Sequence, residues 1–378
     1  MRVGIPRESF PGETRVALIP AGAAALSKIG LEVAVEAGAG AAAGFTDAAY
    51  QAQGAAILPR KDVLESAQIL LCVRAMPPPG PLPRGQAIVG FADPLGAPQE
   101  IAGIAGSGVS LLSMELMPRI TRAQSMDALS SMATVAGYEA VLLAATALPR
   151  MFPMLMTAAG TITPARVFVV GAGVAGLQAI ATARRLGAKV EAYDVRPAVK
   201  EQVQSLGARF VELPVESKDT EDKGGYAVAQ DESFYRRQRE MMLEVVADSD
   251  VVITTALVPG KRAPILLTTE MVEAMQPGSV VVDLAAERGG NCELTKPDQT
   301  VVHRGVTVIG PSNPAALAPF HASQMYSKNI TTFLLHLLGK DGATQPALRL
   351  DEQDEITRET LVTRDGAVVH PRVRQLLG

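Results

Sequence analysis

Five polar side chains crowd one short segment of an otherwise alanine-rich chain: Arg119, Arg122, Gln124, Asp127 and Ser130 in "RITRAQSMDALSS", residues 119–131. A cation, an amide, a carboxylate and a hydroxyl together can hold a polar ligand in one orientation. The segment has no histidine or lysine, the usual carriers for proton transfer at a reacting atom. Gln124, Asp127 and Ser130 recur every three residues, so a helical turn would put them on roughly one face. The same residues suit a plainer reading, in which Asp127 or Ser125 caps the helix that follows, "MATVAGYEAVLLAATAL". On spacing alone both readings stand.

A second constellation lies in "ARVFVVGAGVAGLQAIATARRLGAKVEAYDVR", where Gly171, Gly173 and Gly176 have G-x-G-x-x-G spacing. By itself that pattern is weak. Here it follows an apolar strand, opens a helix at Val174 and Ala175, and leads to a second strand ending at Asp194, about 20 residues on. Gly171 would make the tight turn, Gly173 let the backbone approach a pyrophosphate, and Gly176 permit close helix–strand packing. The phosphates then face amides at the positive helix end. Asp194, followed by Val195 and Arg196, would accept hydrogen bonds from ribose hydroxyls and repel a 2′-phosphate, which favours NAD(H) over NADP(H). Arg196 moderates that preference, since a nearby arginine accommodates a 2′-phosphate.

The elements that must position these groups alternate. "RVGI", "LEVAVEAG", "AQILLCVRAM", "QAIVGFA" and "GVSLLSMEL" read as strands, with helices "PAGAAALSKIG" and "FTDAAYQAQGA" between the early ones. After the long helix, "RVFVVG", "KVEAYDV", "RFVEL", "DVVITTA", "SVVVDLA" and "VTVIG" give a second series of six strands. The fold class expected is α/β: two Rossmann-like domains with doubly wound parallel sheets and a cleft between them. The first domain covers 1–128, with 311–378 packing back onto it, and 129–310 is the NAD(H)-binding domain. "ETLVTRDGAVVH" carries Asp-Gly between alternating strands, a hairpin signal with reach toward a neighbouring copy. The charged segment 214–239, "PVESKDTEDKGGYAVAQDESFYRRQR", reads either as a solvated loop or as a lid hinged at Gly224 and Gly225, with Tyr226 closing over a nucleotide.

Bulk properties narrow the classes. A chain of 378 residues is long for one core. Net charge is −4, so no basic field invites nucleic acid. Cys72 and Cys292 stand alone, which argues against disulfides and a metal site. The opening residues lack the apolar stretch of a signal peptide. Residues 167–183 are free of charge but hold the glycine turn between Arg166 and Arg184, so they suit a strand–turn–helix better than a span, which needs roughly 20 apolar residues. A soluble chain is expected.

The chain resembles the family shared by alanine dehydrogenase and the NAD(H)-binding alpha subunit of proton-translocating nicotinamide nucleotide transhydrogenase. The likeness runs nearly end to end, through "IPRE…PGETRVALIP", the glycine fingerprint, "ITTALVPGK" and "VVDLAAERGGN". "MELMPRITRAQSMDALSS", "GGYA" and "VTRDGAVVHP" resemble the transhydrogenase branch. Where that family's dehydrogenases carry a catalytic lysine this chain has Arg74, which cannot act as an ordinary proton shuttle. "IVGFADPLG" lacks the dehydrogenase's histidine, whereas Arg15 resembles its carboxylate-binding arginine.

The resemblance implies hydride transfer between NADH and NADP+ bound on a partner subunit. Gln124, Asp127 and Ser130 would hold the nicotinamide ribose and carboxamide, with Arg119 bracing the loop. Gly171, Gly173, Val174, Ala175, Gly176, Asp194, Val195, Arg196, Gly225, Tyr226, Thr255, Ala256 and Leu257 would bind the cofactor. It further implies an NADP(H)-binding partner and a membrane-spanning partner, a homodimer, and a cytoplasmic place on the inner membrane face reached through those partners. Since the polypeptide carries neither an NADP(H) domain nor spanning helices, a version split over several chains is expected. The alternative reading is an amino-acid dehydrogenase of the alanine dehydrogenase type, and a third is a nucleotide-binding module without turnover.

Overall fold

Runs of valine, isoleucine and leucine four to six residues long form the strands, and both faces of most are buried, as parallel sheets covered by helices require. The computed structural model describes residues 1–212, 232–257, 260–338 and 346–378. The chain divides into two units: Met1–Met132 with Ala316–Gly378, and Ala133–Ala315.

In the first unit, β1 (Arg2–Ile5), β2 (Glu32–Glu36), β3 (Ala56–Leu58), β4 (Ile69–Arg74), β5 (Ala87–Phe91) and β6 (Ser110–Ser113) are all parallel. Their order across the sheet is β3-β2-β1-β4-β5-β6. In the second unit, a small exposed hairpin of β7 (Leu155–Thr157) and β8 (Gly160–Ile162) precedes the main sheet. That sheet holds β9 (Arg166–Val170), β10 (Lys189–Tyr193), β11 (Arg209–Phe210), β12 (Val251–Thr254), β13 (Val280–Asp283), β14 (Thr300–His303) and β15 (Val306–Ile309), in the order β11-β10-β9-β12-β13-β15-β14. Counting parallel strands alone, each sheet runs 3-2-1-4-5-6 in chain order. The direction of winding reverses between β1 and β4 and between β9 and β12, and ligands of such sheets bind at the carboxyl ends beside that reversal.

Each sheet also gains antiparallel pairing at one edge, from two strands in the first sheet and one in the second. β16 (Leu361–Arg364) and β17 (Ala367–Val368) join the first sheet as a hairpin, with β16 antiparallel to β6. Asp365 and Gly366 turn that hairpin with φ of 52° and 87°, the left-handed pair of a type I′ turn. Arg304 and Gly305 turn β14 into β15 in the same way, with φ of 46° and 81°. β3, β14 and the β7–β8 hairpin go beyond the strands expected from the sequence.

Among the described residues one helix, Ala128–Ala147, is long and apolar enough to cross a membrane by length and composition. Its Ala140, Val141 and Ala144 are fully buried in the core of the second unit, together with Val167, Val169 and Ile180.

Candidate functional site

In the second unit the fingerprint residues gather at the carboxyl ends of β9, β10 and β12. Gly171 has φ of 101°, a conformation that a side chain strongly disfavours. The helix Val174–Arg185 starts immediately after Gly173. A Cβ on Gly176 would stand 1.8 Å from the Gly171 carbonyl oxygen, so the strand and helix meet backbone to backbone. Gly137 plays the same part from the helix Ala128–Ala147, where a Cβ would lie 2.1 Å from the Ala175 carbonyl oxygen. Gly173 differs, because a Cβ there would meet only the Arg196 guanidinium, at 4.0 Å. The space over Gly173 is thus open, and a pyrophosphate resting on the first helical amides would have room there.

Asp194 is buried beside this turn and accepts from the Ala172 amide at 2.7 Å. Thr255 donates its hydroxyl to the Gly171 carbonyl at 3.1 Å, which ties β12 to the glycine turn. Ala256 is clamped from both sides by Asn291, whose Oδ1 accepts the Ala256 amide at 3.0 Å and whose Nδ2 donates to the Ala256 carbonyl at 2.9 Å. Val195 is half-buried and Leu257 is exposed. Gly224, Gly225 and Tyr226 lie outside the described residues, as does most of the 214–239 segment. Its last part corrects the loop reading, since a helix spans Glu232–Ala247.

Asp283 supports the site without having been singled out by the sequence. It is fully buried at the end of β13 and accepts from the hydroxyls of Thr254 and Thr295 and from the amides of Ala285, Asn291 and Cys292, at 2.6–3.0 Å. Five donors offset the cost of burying its charge, and they fix the loop that carries Asn291. A strand-ending aspartate inside "VVDLAAERGGN" was the available signal.

In the first unit Arg119, Gln124, Asp127 and Ser130 line one recess of about 310 Å³. The recess forms because a 3₁₀ turn, Thr121–Met126, breaks into the helix Ala128–Ala147 at Asp127. Asp127 caps that helix: its carboxylate accepts the Ser130 amide at 2.9 Å and the Ser130 hydroxyl at 2.6 Å. The capping reading and the shared-recess reading thus hold together. Gln124 is exposed, and among the described residues its amide has no hydrogen-bond partner.

The turn is held from far along the chain, by residues the sequence did not single out. Asn329, in the helix Pro319–Leu337, donates to the Ser125 carbonyl at 2.9 Å. Arg122 pairs with Asp354 at 2.8 Å, and Asp354 also takes His336 at 2.8 Å and caps the helix Glu355–Thr360 through the Thr357 amide. Burial alone would raise the Asp354 pKa, but the bonds from His336, Thr357 and Arg122 outweigh it and hold the carboxyl well below the usual aspartate range. A depressed acid stabilises the fold above its ordinary pKa of 3.8 and loses that contribution as pH falls. Asp354→Asn is therefore expected to cost about 1 kcal/mol at neutral pH, the worth of a partly exposed network. Thermal melts should show the gap closing below pH 4, and a gap constant with pH would contradict the assignment.

A larger recess of about 570 Å³ in the same unit is lined by Arg7, Glu8, Glu13, Arg15 and Arg60 among others. Arg15 is buried, with its guanidinium doubly bonded to Glu13 at 2.6 Å. Arg74 lies over the Phe10 ring, 4.5 Å from its centre. Burial pushes Glu8 up to about 7, although both its oxygens accept backbone amides, from Val73 and Arg74.

Two family models match in tandem: "Alanine dehydrogenase/PNT, N-terminal domain" over residues 4–136 and "Alanine dehydrogenase/PNT, C-terminal domain" over 140–371. The chain belongs to the alanine dehydrogenase/PNT family. It is 45% identical to an NAD(P) transhydrogenase subunit alpha polypeptide of Rhodospirillum rubrum, over 98% of each chain. The crystal structure of transhydrogenase from Sinorhizobium meliloti superposes with a TM-score of 0.87 at 44% identity, over 98% of this chain and all of that one. Alanine dehydrogenase of Bacillus subtilis is 27% identical over 100% of this chain and 95% of its own. Within this family the chain is thus similar to transhydrogenase alpha subunits over its full length and more distant from the dehydrogenases.

Proposed function

We propose that the chain is the NAD(H)-binding subunit of a proton-translocating transhydrogenase and passes hydride between NADH and NADP+ held by a partner subunit. The observation that carries this reading is the recess of Arg119, Gln124, Asp127 and Ser130, which offers hydrogen bonds but neither histidine nor lysine. When bound, NADH supplies the hydride, and the reaction NADH + NADP+ → NAD+ + NADPH consumes and releases no proton at the ring. The protein's task is therefore to fix the distance and angle between two rings and to keep water out.

In this reading the Rossmann unit takes the adenosine half. The first amides of the helix Val174–Arg185 receive the pyrophosphate, and Asp194 receives the ribose hydroxyls. Gln124 holds the nicotinamide carboxamide, while Asp127 and Ser130 hold its ribose. Arg119 braces the loop. Gly225, Tyr226 and Leu257 would add contacts. The partners are an NADP(H)-binding subunit and a membrane-spanning subunit, the latter placing this chain on the cytoplasmic membrane face. A homodimer completes the assembly.

Glu8 favours a second reading, because an acid titrating near 7 in the recess beside Arg15 is what an amino-acid dehydrogenase needs. One experiment separates the two. The purified chain is mixed with an NADP+-loaded partner domain and NADH, and in parallel with L-alanine and NAD+. NADPH formation only with the partner is expected. NAD+ reduction by alanine alone would overturn the transhydrogenase reading.

A further inference from the structure

Asp194 has no acceptor position left for a ribose. Its Oδ1 accepts the Arg196 amide at 2.9 Å and Arg196 Nε at 2.8 Å. Its Oδ2 accepts the Ala172 amide at 2.7 Å and Arg196 Nη2 at 2.8 Å. A carboxylate offers about four lone-pair sites, and these four bonds fill them. The pair is well shielded, with 12% of the Arg196 side chain and 5% of the Asp194 side chain exposed. The guanidinium also lies toward the glycine turn, 4.0 Å from where a Gly173 Cβ would be.

We infer that Arg196 is a specificity-determining residue: its guanidinium competes with ribose hydroxyls for Asp194 and sets how far the site tolerates a 2′-phosphate. The inference rests on the reading of the glycine turn as an NAD(H) site and deepens it. Two of the four bonds come from backbone amides and stay when a ligand arrives. The other two come from a side chain that can swing away, so a ribose gains its acceptors only by displacing the guanidinium. While the pair is closed, the Asp194 charge is neutralised at contact distance, which mutes its repulsion of a 2′-phosphate. Once displaced, the guanidinium offers a planar fork that suits a phosphate and gives a hydroxyl far less. Asp194 alone would discriminate sharply; Asp194 with Arg196 discriminates less.

The test is titration of the full chain with NADH and with NADPH, for the wild type, Arg196→Ala and Arg196→Lys. Arg196→Ala is expected to bind NADPH about tenfold more weakly or worse, the worth of one charge-assisted contact, with NADH binding unchanged or tighter. Arg196→Lys, which keeps the charge but loses the fork, should fall between. Equal weakening of NADH and NADPH in Arg196→Ala would overturn the proposal, since the guanidinium would then serve a part common to both nucleotides. Failure of the wild type to bind NADH at all would instead sink the underlying site reading, and the proposal with it.

Discussion

Gly173→Ala is expected to leave the melting temperature nearly unchanged while weakening NADH binding about tenfold to a hundredfold. Gly176→Ala, three residues on, is expected to lower both. The contrast follows from what a methyl meets. At Gly176 it meets the Gly171 carbonyl oxygen at 1.8 Å and carbon at 2.8 Å, which are backbone atoms that cannot yield without moving the helix off the strand. Strain of about 1–3 kcal/mol is usual for such overpacking. At Gly173 the methyl meets, among the described residues, nothing nearer than a guanidinium at 4.0 Å, and φ of −74° suits any residue. No described residue requires glycine there, whereas a ligand resting on these amides would need the space. A methyl in that space costs about 1–3 kcal/mol, a tenfold to hundredfold loss in affinity. Calorimetric melts paired with NADH titration read both quantities. Undiminished NADH binding by Gly173→Ala would remove the pyrophosphate from this turn.

The fold was legible where local pattern and burial coincide. Strands such as "VVIT" and "VVVD" are apolar on both faces because helices cover both sides of the sheet, so an unbroken apolar run marks them. β14 escaped for two reasons. As an edge strand it buries little, and its turn residues Arg304-Gly305 carry a weaker hairpin signal than the Asp365-Gly366 of the other sheet. The fingerprint was readable because its glycines sit within one strand–turn–helix and Asp194 follows the very next strand.

The supports of the 119–130 recess were not readable, because they arrive from elsewhere. Asn329 and Asp354 lie more than 200 residues beyond the carbonyl and arginine they hold. No periodicity links an asparagine in one helix to a carbonyl in another; only the folded path does. Asp127 shows a different limit. Its spacing to Ser130 announced a cap and a ligand contact equally, and the structure shows the cap without removing the carboxylate from the recess. A carboxylate that accepts two bonds still has two lone-pair sites to offer.

Gln124→Asn should slow hydride transfer about a hundredfold while changing the NADH dissociation constant little. Gln124 is suited to such a split. It is exposed in the recess, and among the described residues nothing hydrogen-bonds its amide. Shortening it therefore breaks no internal contact, and the turn keeps its anchors through Ser125 to Asn329 and Arg122 to Asp354. The asparagine amide carries the same donor and acceptors, withdrawn by one methylene. A ring held through that amide would shift by about 1 Å, and misplacement of that size costs about a hundredfold in rate when geometry is the main source of catalysis. Affinity is spared because most of the binding energy is expected from phosphates and the adenosine half at the glycine turn. Single-turnover stopped-flow with an NADP+-loaded partner gives the transfer rate, and equilibrium titration gives the affinity. A variant that transfers hydride at the wild-type rate would mean the ring is positioned by other groups. A rate and an affinity that fall together would mean Gln124 binds without orienting.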